Sequence, residues 1–197
     1  MKSLYQFIVT PKQERYNNTK KIDDKELIIN TNIEDHRFVS KKAIVVSTPI
    51  AFDTDIRPGD EVYVHHNIFR RWYNQRGEEK NSSRYFKDDL YFCSIDQIYM
   101  YNLKPHLDYC FVSPIKQIDT FKTSKEREHF GILKYSNTSL ERVGLNPGAL
   151  VVFTPNSEFE FIIEGERLYC MKSKDIAITH EHEGNEEEYN PSWAKSS

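Results

Sequence analysis

Two groups of histidines are the residues of this sequence most suited to chemistry. His65 and His66 are adjacent, and His180-Glu181-His182-Glu183 combines two imidazoles with two carboxylates. Both side-chain types are common zinc ligands. Adjacent residues of a strand point to opposite faces, so we expect His65 and His66 to face away from each other. Neither group has a second ligand pair at zinc-site spacing, and we therefore predict no metal site and no cofactor.

The sequence also offers no catalytic constellation. It contains no Gly-x-Ser-x-Gly elbow, no Walker loop and no glycine-rich dinucleotide fingerprint. The three cysteines, Cys93, Cys110 and Cys170, lie in segments that are typical of strands, where a thiol is a small core residue. Their odd number and the lack of a Cys-x-x-Cys pair favour reduced thiols in a cytosol-like compartment. We predict no catalytic residue and a protein that is not an enzyme.

A mixture of cations and aromatic rings occupies an insertion at residues 70–89. Arginine can contact phosphate while tryptophan and tyrosine stack on bases, which is how single-stranded nucleic acid binds to barrel folds. Acidic residues alternate with the basic ones, however, as in a solvated or interface hairpin, and the net charge of −3 provides no general attraction for nucleic acid. We favour the hairpin. The mixture comprises Arg70, Arg71, Trp72, Tyr73, Arg76, Arg84 and Tyr85, with Glu78, Glu79, Asp88 and Asp89 between and after them.

The elements that must position these residues occur twice. Four short segments of the first half match four segments of the second half in the same order, and the spacing differs only by extra length in the first copy. Such length differences belong in loops. The matched pairs are YQFIVTP (5–11) with YCFVSP (109–114), KAIVVSTP (42–49) with FGILKYSN (130–137), RPGDEVYV (57–64) with NPGALVVF (146–153), and LYFCSIDQIYMY (90–101) with LYCMKSKDIAIT (168–179). The sequence therefore predicts an internal duplication.

Each copy is a series of short strands without helical periodicity, which favours a small β-barrel or sandwich. We predict an all-β protein with tandem domains at 1–102 and 103–180, followed by an acidic disordered tail at 181–197. In the second copy, Val151, Phe153, Phe159, Phe161 and Ile163 alternate with other residues, as in half-buried strands. One short helix is predicted at 138–145, with Thr138 or Ser139 as its N-cap.

The order of these motifs resembles the GroES co-chaperonin family. The second copy carries the closest match in GILKYSN (131–137), LNPGALVVF (145–153) and FIIEGERLYCMKSKDIAITHE (161–181), where Asp175-Ile176 corresponds to the family's Asp-Ile. The first copy keeps IRPGDEVYV and LYFCSIDQIYMY, with Gln97 in place of the Asp. The interval 49–57 is too short for the family's roof hairpin, as in the phage-type co-chaperonins that lack a roof.

The resemblance implies two tandem GroES-like β-barrels that assemble into a homo-oligomeric ring, a heptamer, and cap a chaperonin. In that family a long mobile loop after the first strand binds the chaperonin through a small hydrophobic triplet. The corresponding loop here is 12–42, and Leu27, Ile28 and Ile29 supply three adjacent apolar residues. The same residues could instead form a wall strand with Leu27, Ile29 and Ile33 packed inside. The second copy's equivalent, 115–130, is shorter and has no aliphatic triplet.

We therefore expect a co-chaperonin that caps a GroEL-type chaperonin ring and encloses unfolded client proteins for ATP-dependent folding, including phage capsid subunits. The alternative is a non-chaperone binding or virion-assembly protein built from duplicated β-barrels. The N-terminus lacks the apolar stretch of a signal peptide, and no window has the roughly 18 apolar residues of a membrane span. We expect a cytoplasmic location, in a bacterial host if the protein is phage-encoded, with no membrane partner.

Overall fold

The chain forms two compact units, Met1–Leu103 and Lys104–Ser197. The computed structural model describes residues 2–16, 35–118, 125–180, 184 and 186–194 in full, and the backbone of 19–22, 25–28 and 195–196. Strands are the main secondary structure of both units and only one short α-helix occurs among the described residues, so the protein belongs to the all-β class. No helix in these ranges is long and apolar enough to cross a membrane.

The first unit contains ten strands and two 3₁₀ turns among its described residues. The strands are β1 (Phe7–Pro11), β2 (Thr19–Ile22), β3 (Lys25–Ile28), β4 (Lys42–Ser47), β5 (Glu61–Val64), β6 (Arg71–Tyr73), β7 (Glu79–Asn81), β8 (Tyr85–Lys87), β9 (Leu90–Cys93) and β10 (Ile98–Tyr101). The 3₁₀ turns cover His66–Ile68 and Ile95–Gln97.

The second unit adds seven strands, one short helix and two 3₁₀ turns within the described ranges. The strands are β11 (Lys104–Pro105), β12 (Tyr109–Lys116), β13 (Glu126–Tyr135), β14 (Leu150–Phe153), β15 (Phe159–Ile163), β16 (Glu166–Lys172) and β17 (Ile176–His180). The helix α1 spans Thr138–Arg142, and the 3₁₀ turns span Ser173–Asp175 and Ser192–Ser196.

The two large sheets share one strand order. The strands of the first unit run β10-β5-β4-β1-β9-β8, and those of the second run β15-β16-β12-β13-β14-β17. When the second order is reversed, each strand corresponds to one of the first, with β12 in the place of β1 and β16 in the place of β9. The segments that match in sequence therefore occupy equivalent strands. Over the described residues, both sheets have two free edges and do not close into barrels.

The repeated Pro-Gly pairs make the same turn before β5 and before β14. Gly59 and Gly148 both have φ of +95°, a value that glycine adopts without steric cost. Their N–H groups donate to Val45 O and Leu133 O respectively, each at 2.8 Å. Proline presets φ at the position before, so the dipeptide specifies the turn locally. Because the Pro-Gly dipeptide alone specifies the turn, both copies make the same turn where they carry this dipeptide.

A second shared corner joins β9 to β10 and β16 to β17. Each is a single 3₁₀ turn whose last side chain accepts a hydrogen bond from the backbone at its start. Gln97 Oε1 accepts from the Ser94 N–H at 3.1 Å, and Asp175 Oδ2 accepts from the Lys172 N–H at 3.2 Å. Glutamine replaces aspartate in the first copy and still satisfies an otherwise unpaired N–H.

Each unit has its own apolar core. Phe7, Val9 and Val45 lie in the first core, and Val112, Leu133 and Val151 lie in the second. All three cysteines are fully buried thiols outside any disulfide, as predicted for small core residues. Burial raises the pKa of the Cys110 thiol to about 12 and raises that of Cys93 further, so neither thiol is a nucleophile at neutral pH.

Several local predictions for the second unit need correction. Phe159 is half-exposed, although the other members of its alternating series, Val151, Phe153, Phe161 and Ile163, are buried. The N-cap of α1 is Asn137 rather than Thr138 or Ser139, because its side-chain oxygen accepts from the Leu140 N–H at 3.1 Å.

The predicted disordered tail is also wrong for residues 186–196. This segment lies against the second unit and ends in a 3₁₀ turn, with Pro191 and Ala194 buried. Acidic composition suggested a solvated segment, but Glu187 and Glu188 form ion pairs with Lys116 and Lys134. Charge complementarity with the sheet therefore offsets the charge repulsion within the tail.

Candidate functional site

The long segment between β1 and β4 is fixed at its base. Tyr16 pairs with Val39 in an antiparallel bridge, and both side chains are buried in the core of the first unit. The Ser40 N–H donates to Arg15 O at 2.8 Å beside this bridge. The two ends of residues 17–38 therefore meet at one point, which makes the segment a loop with a closed neck.

Two arginines hold the neck against the rest of the unit. The Arg71 guanidinium lies 4.6 Å from the centroid of the Tyr16 ring, and the Arg71 N–H donates to the Tyr16 hydroxyl at 2.6 Å. Arg15 donates to Phe69 O at 2.9 Å and its guanidinium lies over the ring of Tyr91. Cation–π contacts and charge-assisted hydrogen bonds are strongest where water is largely excluded. The neck is therefore a rigid support.

Beyond the neck, the chain forms a separate hairpin. β2 and β3 pair antiparallel with Thr19 opposite Ile28 and Ile22 opposite Lys25, and they form a two-stranded sheet of their own. Neither of these two strands joins the main sheet of the unit, and Ile29 and Ile33, which the wall-strand alternative also requires, lie outside the described residues. An isolated two-stranded hairpin is marginally stable in water, which suits a segment that acquires its final structure on binding.

The predicted binding residues lie on the returning arm of this hairpin. The backbone of Leu27 and Ile28 belongs to β3, whereas Ile29 and the side chains of the triplet lie outside the described residues. Leu27 lies opposite Lys20 and Ile28 opposite Thr19, in the half of the ladder away from the Ile22–Lys25 pair. No described contact tests whether the triplet binds a partner.

The corresponding segment of the second unit is built differently. β12 and β13 continue past the sheet as one hairpin, with Lys116 opposite Glu126 and the Gln117 N–H donating to Lys125 O at 3.1 Å. Residues 119–124 lie outside the described ranges. The neck and the separate hairpin are therefore features of the first unit within the described chain.

The adjacent histidines do not face away from each other as predicted. β5 ends at Val64, and His65 caps the following 3₁₀ turn by accepting from the Asn67 N–H at its Nδ1. The rings of His65 and His66 stack at 4.3 Å between centroids, and His36 lies 5.1 Å from His66. Because β5 ends at Val64, neither His65 nor His66 belongs to the strand and their side chains do not alternate between its faces. The three imidazoles therefore lie together.

This histidine group lacks the geometry of a metal centre. Among the described residues, no group of three or more His, Cys, Asp or Glu side chains could hold a metal ion. Burial, and then the positive charge of Lys41, lowers the pKa of His65, and burial lowers the pKa of His66 to about 3. His180 is described and stacks on Phe130, whereas 181–183 lie outside the described ranges.

The cation-rich insertion contains internally paired strands. Arg71 pairs with Glu79 at 2.8 Å and Lys80 pairs with Glu78 at 3.0 Å, so charges of both signs lie together on β6 and β7. Trp72 is partly exposed and its Nε1 donates to Asn81 O at 3.2 Å. These pairs match the hairpin interpretation and leave little free positive charge on this hairpin for phosphate.

Neither a family model nor a curated protein matches the sequence. Function has to be argued from the neck and its hairpin. Sequence reasoning identified the loop but missed its closure by Tyr16 and Val39. Two features of the sequence indicate this closure: Tyr16 is an isolated aromatic residue between polar neighbours, and Val39 is an apolar residue just before β4.

Proposed function

We propose that this protein is a co-chaperonin of the GroES type, whose first unit binds a GroEL-type chaperonin through residues 17–34 and caps its ring. The observation that carries the proposal is a rigid neck that bears a hairpin separate from the main sheet. In the sequence, the apolar triplet Leu27-Ile28-Ile29 begins within β3. A hairpin outside the main sheet is the part of the unit that can bind a partner without disturbing the core.

The energetics suit a cap that must bind and release. Burial of three aliphatic side chains contributes about 1.5–3 kcal/mol each before the cost of ordering the hairpin. Fixing backbone residues costs about 1–2 kcal/mol each, which keeps a single contact weak. A ring of identical subunits repeats that contact, and multivalency then raises the total affinity without any stronger individual site.

The segment between β4 and β5 supports a roofless, phage-type cap. Residues 48–60 are described throughout and contain no named strand, so this interval has no roof hairpin. Ile56 is buried there, which fixes the interval against the core. An open end enlarges the enclosed chamber, and large clients such as capsid subunits would then fit.

The test combines size-exclusion chromatography and light scattering, with and without a GroEL-type chaperonin and ATP. We expect a free ring that joins the chaperonin peak when nucleotide is present. Replacement of Leu27, Ile28 and Ile29 by Ser should abolish that shift and leave the ring intact. The control replaces three exposed aliphatic residues of the second unit, Ile118, Val143 and Ile178, by Ser, and should retain binding.

The outcome distinguishes the two functional classes. If the native chain never joins the chaperonin peak, the co-chaperonin proposal is wrong and the virion-assembly alternative replaces it. If the native chain binds and the Leu27-Ile28-Ile29 variant binds equally well, the cap is retained but the hairpin is not its contact.

A further inference from the structure

The C-terminal segment forms an extra strand beside β12. The Lys116 N–H donates to Glu187 O at 2.8 Å and the Tyr189 N–H donates to Pro114 O at 2.7 Å, with Ile115 opposite Glu188 in an antiparallel bridge. β16 pairs with β12 only over Tyr109–Val112. The tail therefore pairs with a stretch of β12 that β16 does not reach.

Charged side chains reinforce this pairing. Glu187 forms an ion pair with Lys116, and Glu188 lies 3.8 Å from the Lys134 ammonium. The Ser113 hydroxyl donates to the Glu188 carboxylate at 3.1 Å. A hydrogen bond from Lys134 to Glu166 raises the pKa of Lys134, which keeps this lysine cationic. The site thus selects two consecutive acidic residues.

The next residues of the tail are recognised by backbone groups and by packing. Asn190 donates from Nδ2 to Gly165 O at 2.9 Å and accepts from the Arg167 N–H at 3.2 Å, which uses both ends of its amide. Pro191 and Ala194 are buried in the structure. Strand addition supplies affinity through the backbone, and these side-chain contacts supply specificity.

We propose that this surface, the tail groove (Ser113–Lys116, Lys134, Gly165 and Arg167), binds the segment 186–194 of a second copy of this chain. All the described contacts are made by 186–194 itself, so the same segment from another copy would satisfy them without any new contact. Each copy carries one groove and one tail, so reciprocal exchange gives a closed dimer and one-way exchange links copies into rings or open chains.

The exchange depends on concentration. A short connection gives a chain's own tail a millimolar effective concentration, so exchange is expected where assembly brings copies close together. Screening by salt weakens the exposed Glu187–Lys116 pair for a chain's own tail and for a partner's tail alike, so rising ionic strength should lower the occupancy of the groove without favouring either tail. The interface involves no residue of 17–34, so chaperonin capture and tail exchange can fail independently.

The experiment uses two full-length, differently tagged single-cysteine variants, Lys116→Cys and Glu187→Cys. The three native cysteines are buried, so a short thiol-specific cross-linker reacts with the introduced thiols. After mixing, a product that carries both tags can arise only between two chains. The matched control replaces Lys116→Cys with Val143→Cys, an exposed position outside the tail groove. A Lys116→Cys/Glu187→Cys double variant measures pairing within one chain.

We expect the mixed product to exceed the Val143→Cys control by about tenfold at assembling concentrations. Adding Asn190→Ala to the Glu187→Cys chain should remove the excess. If the mixed product stays at the control level while the double variant cross-links within one chain, the tail binds only its own groove and the proposal is overturned. If the double variant does not cross-link either, the groove does not bind the tail, and the proposal is equally wrong.

Discussion

Replacing Asn137 tests whether one side chain holds the start of β12, the helix α1 and the 3₁₀ turn Ser173–Asp175 together. Asn137 is buried and uses its whole amide. Its Nδ2 donates to Tyr109 O at 2.8 Å and to Ser173 Oγ at 2.7 Å, and its Oδ1 accepts from the Leu140 N–H at 3.1 Å. Asn137→Ala removes all three bonds at once.

The expected cost has two parts. Loss of a helix N-cap costs about 1 kcal/mol, and loss of the two hydrogen bonds that Asn137 donates to Tyr109 O and Ser173 Oγ costs about 1–3 kcal/mol together. We expect Asn137→Ala to lower the free energy of unfolding of the second unit by about 2–4 kcal/mol. Asn137→Ser keeps a capping oxygen but is too short to reach Tyr109 O, so it should recover about 1 kcal/mol of that loss.

The assay is urea unfolding followed by circular dichroism and by the fluorescence of Trp193. The chain has two tryptophans, Trp72 in the first unit and Trp193 in the second, so a Trp72→Phe background isolates the second. Asn146→Ala is the control, since that amide is exposed and its hydrogen bond to Gly144 O is long at 3.5 Å. A loss below about 1 kcal/mol for Asn137→Ala, or a serine variant no more stable than the alanine one, would refute the reasoning.

Two further predictions concern the centre of the second sheet and the histidine group. Gly131→Ala should destabilise the second unit by more than the roughly 1–3 kcal/mol of ordinary overpacking. The added Cβ would lie 2.3 Å from Val112 Cγ1 and 2.5 Å from Ser113 O. A urea midpoint equal to that of the native chain would contradict this prediction. Burial lowers the pKa of His66 to about 3, below the unfolded value of about 6.5, so the unfolded state binds more protons between these values and stability should fall as pH drops through that window. His66→Gln should make the unfolding midpoint less dependent on pH between about pH 7.5 and 5. If the slope is unchanged, the pH dependence arises from other titratable groups.

The features that could be predicted from the sequence are those fixed by local chemistry. The Pro-Gly turns at Gly59 and Gly148 require a positive φ that few other residues tolerate, so their positions follow from the dipeptide itself. The corners at Gln97 and Asp175 satisfy a backbone N–H within three residues. The all-β class followed from these repeated short strands, and the structure agrees.

The features that the sequence could not reveal depend on distant partners. Asn137, Thr138 and Ser139 are all good cap residues, and the choice of Asn137 reflects Tyr109 O and Ser173 Oγ, which only the folded chain brings near. The tail reads as disordered by composition, but Lys116 and Lys134 lie far earlier in the chain. The stacking of His65 on His66 depends on where β5 ends, and strand boundaries are the least predictable part of an element.

The two units share a strand order but differ in what is attached to it. In the first, the connection between β1 and β4 closes at Tyr16 and Val39 and continues into a separate hairpin. In the second, β12 and β13 pair with each other as far as Lys116 and Glu126, and residues 187–189 pair with β12. Because the same strand order occurs in both units, an addition to one unit leaves the sheet of the other unchanged. Under the two proposals, the first unit would hold the chaperonin and the second would join neighbouring copies. Tail exchange without chaperonin capture would then mean that the duplication serves assembly alone.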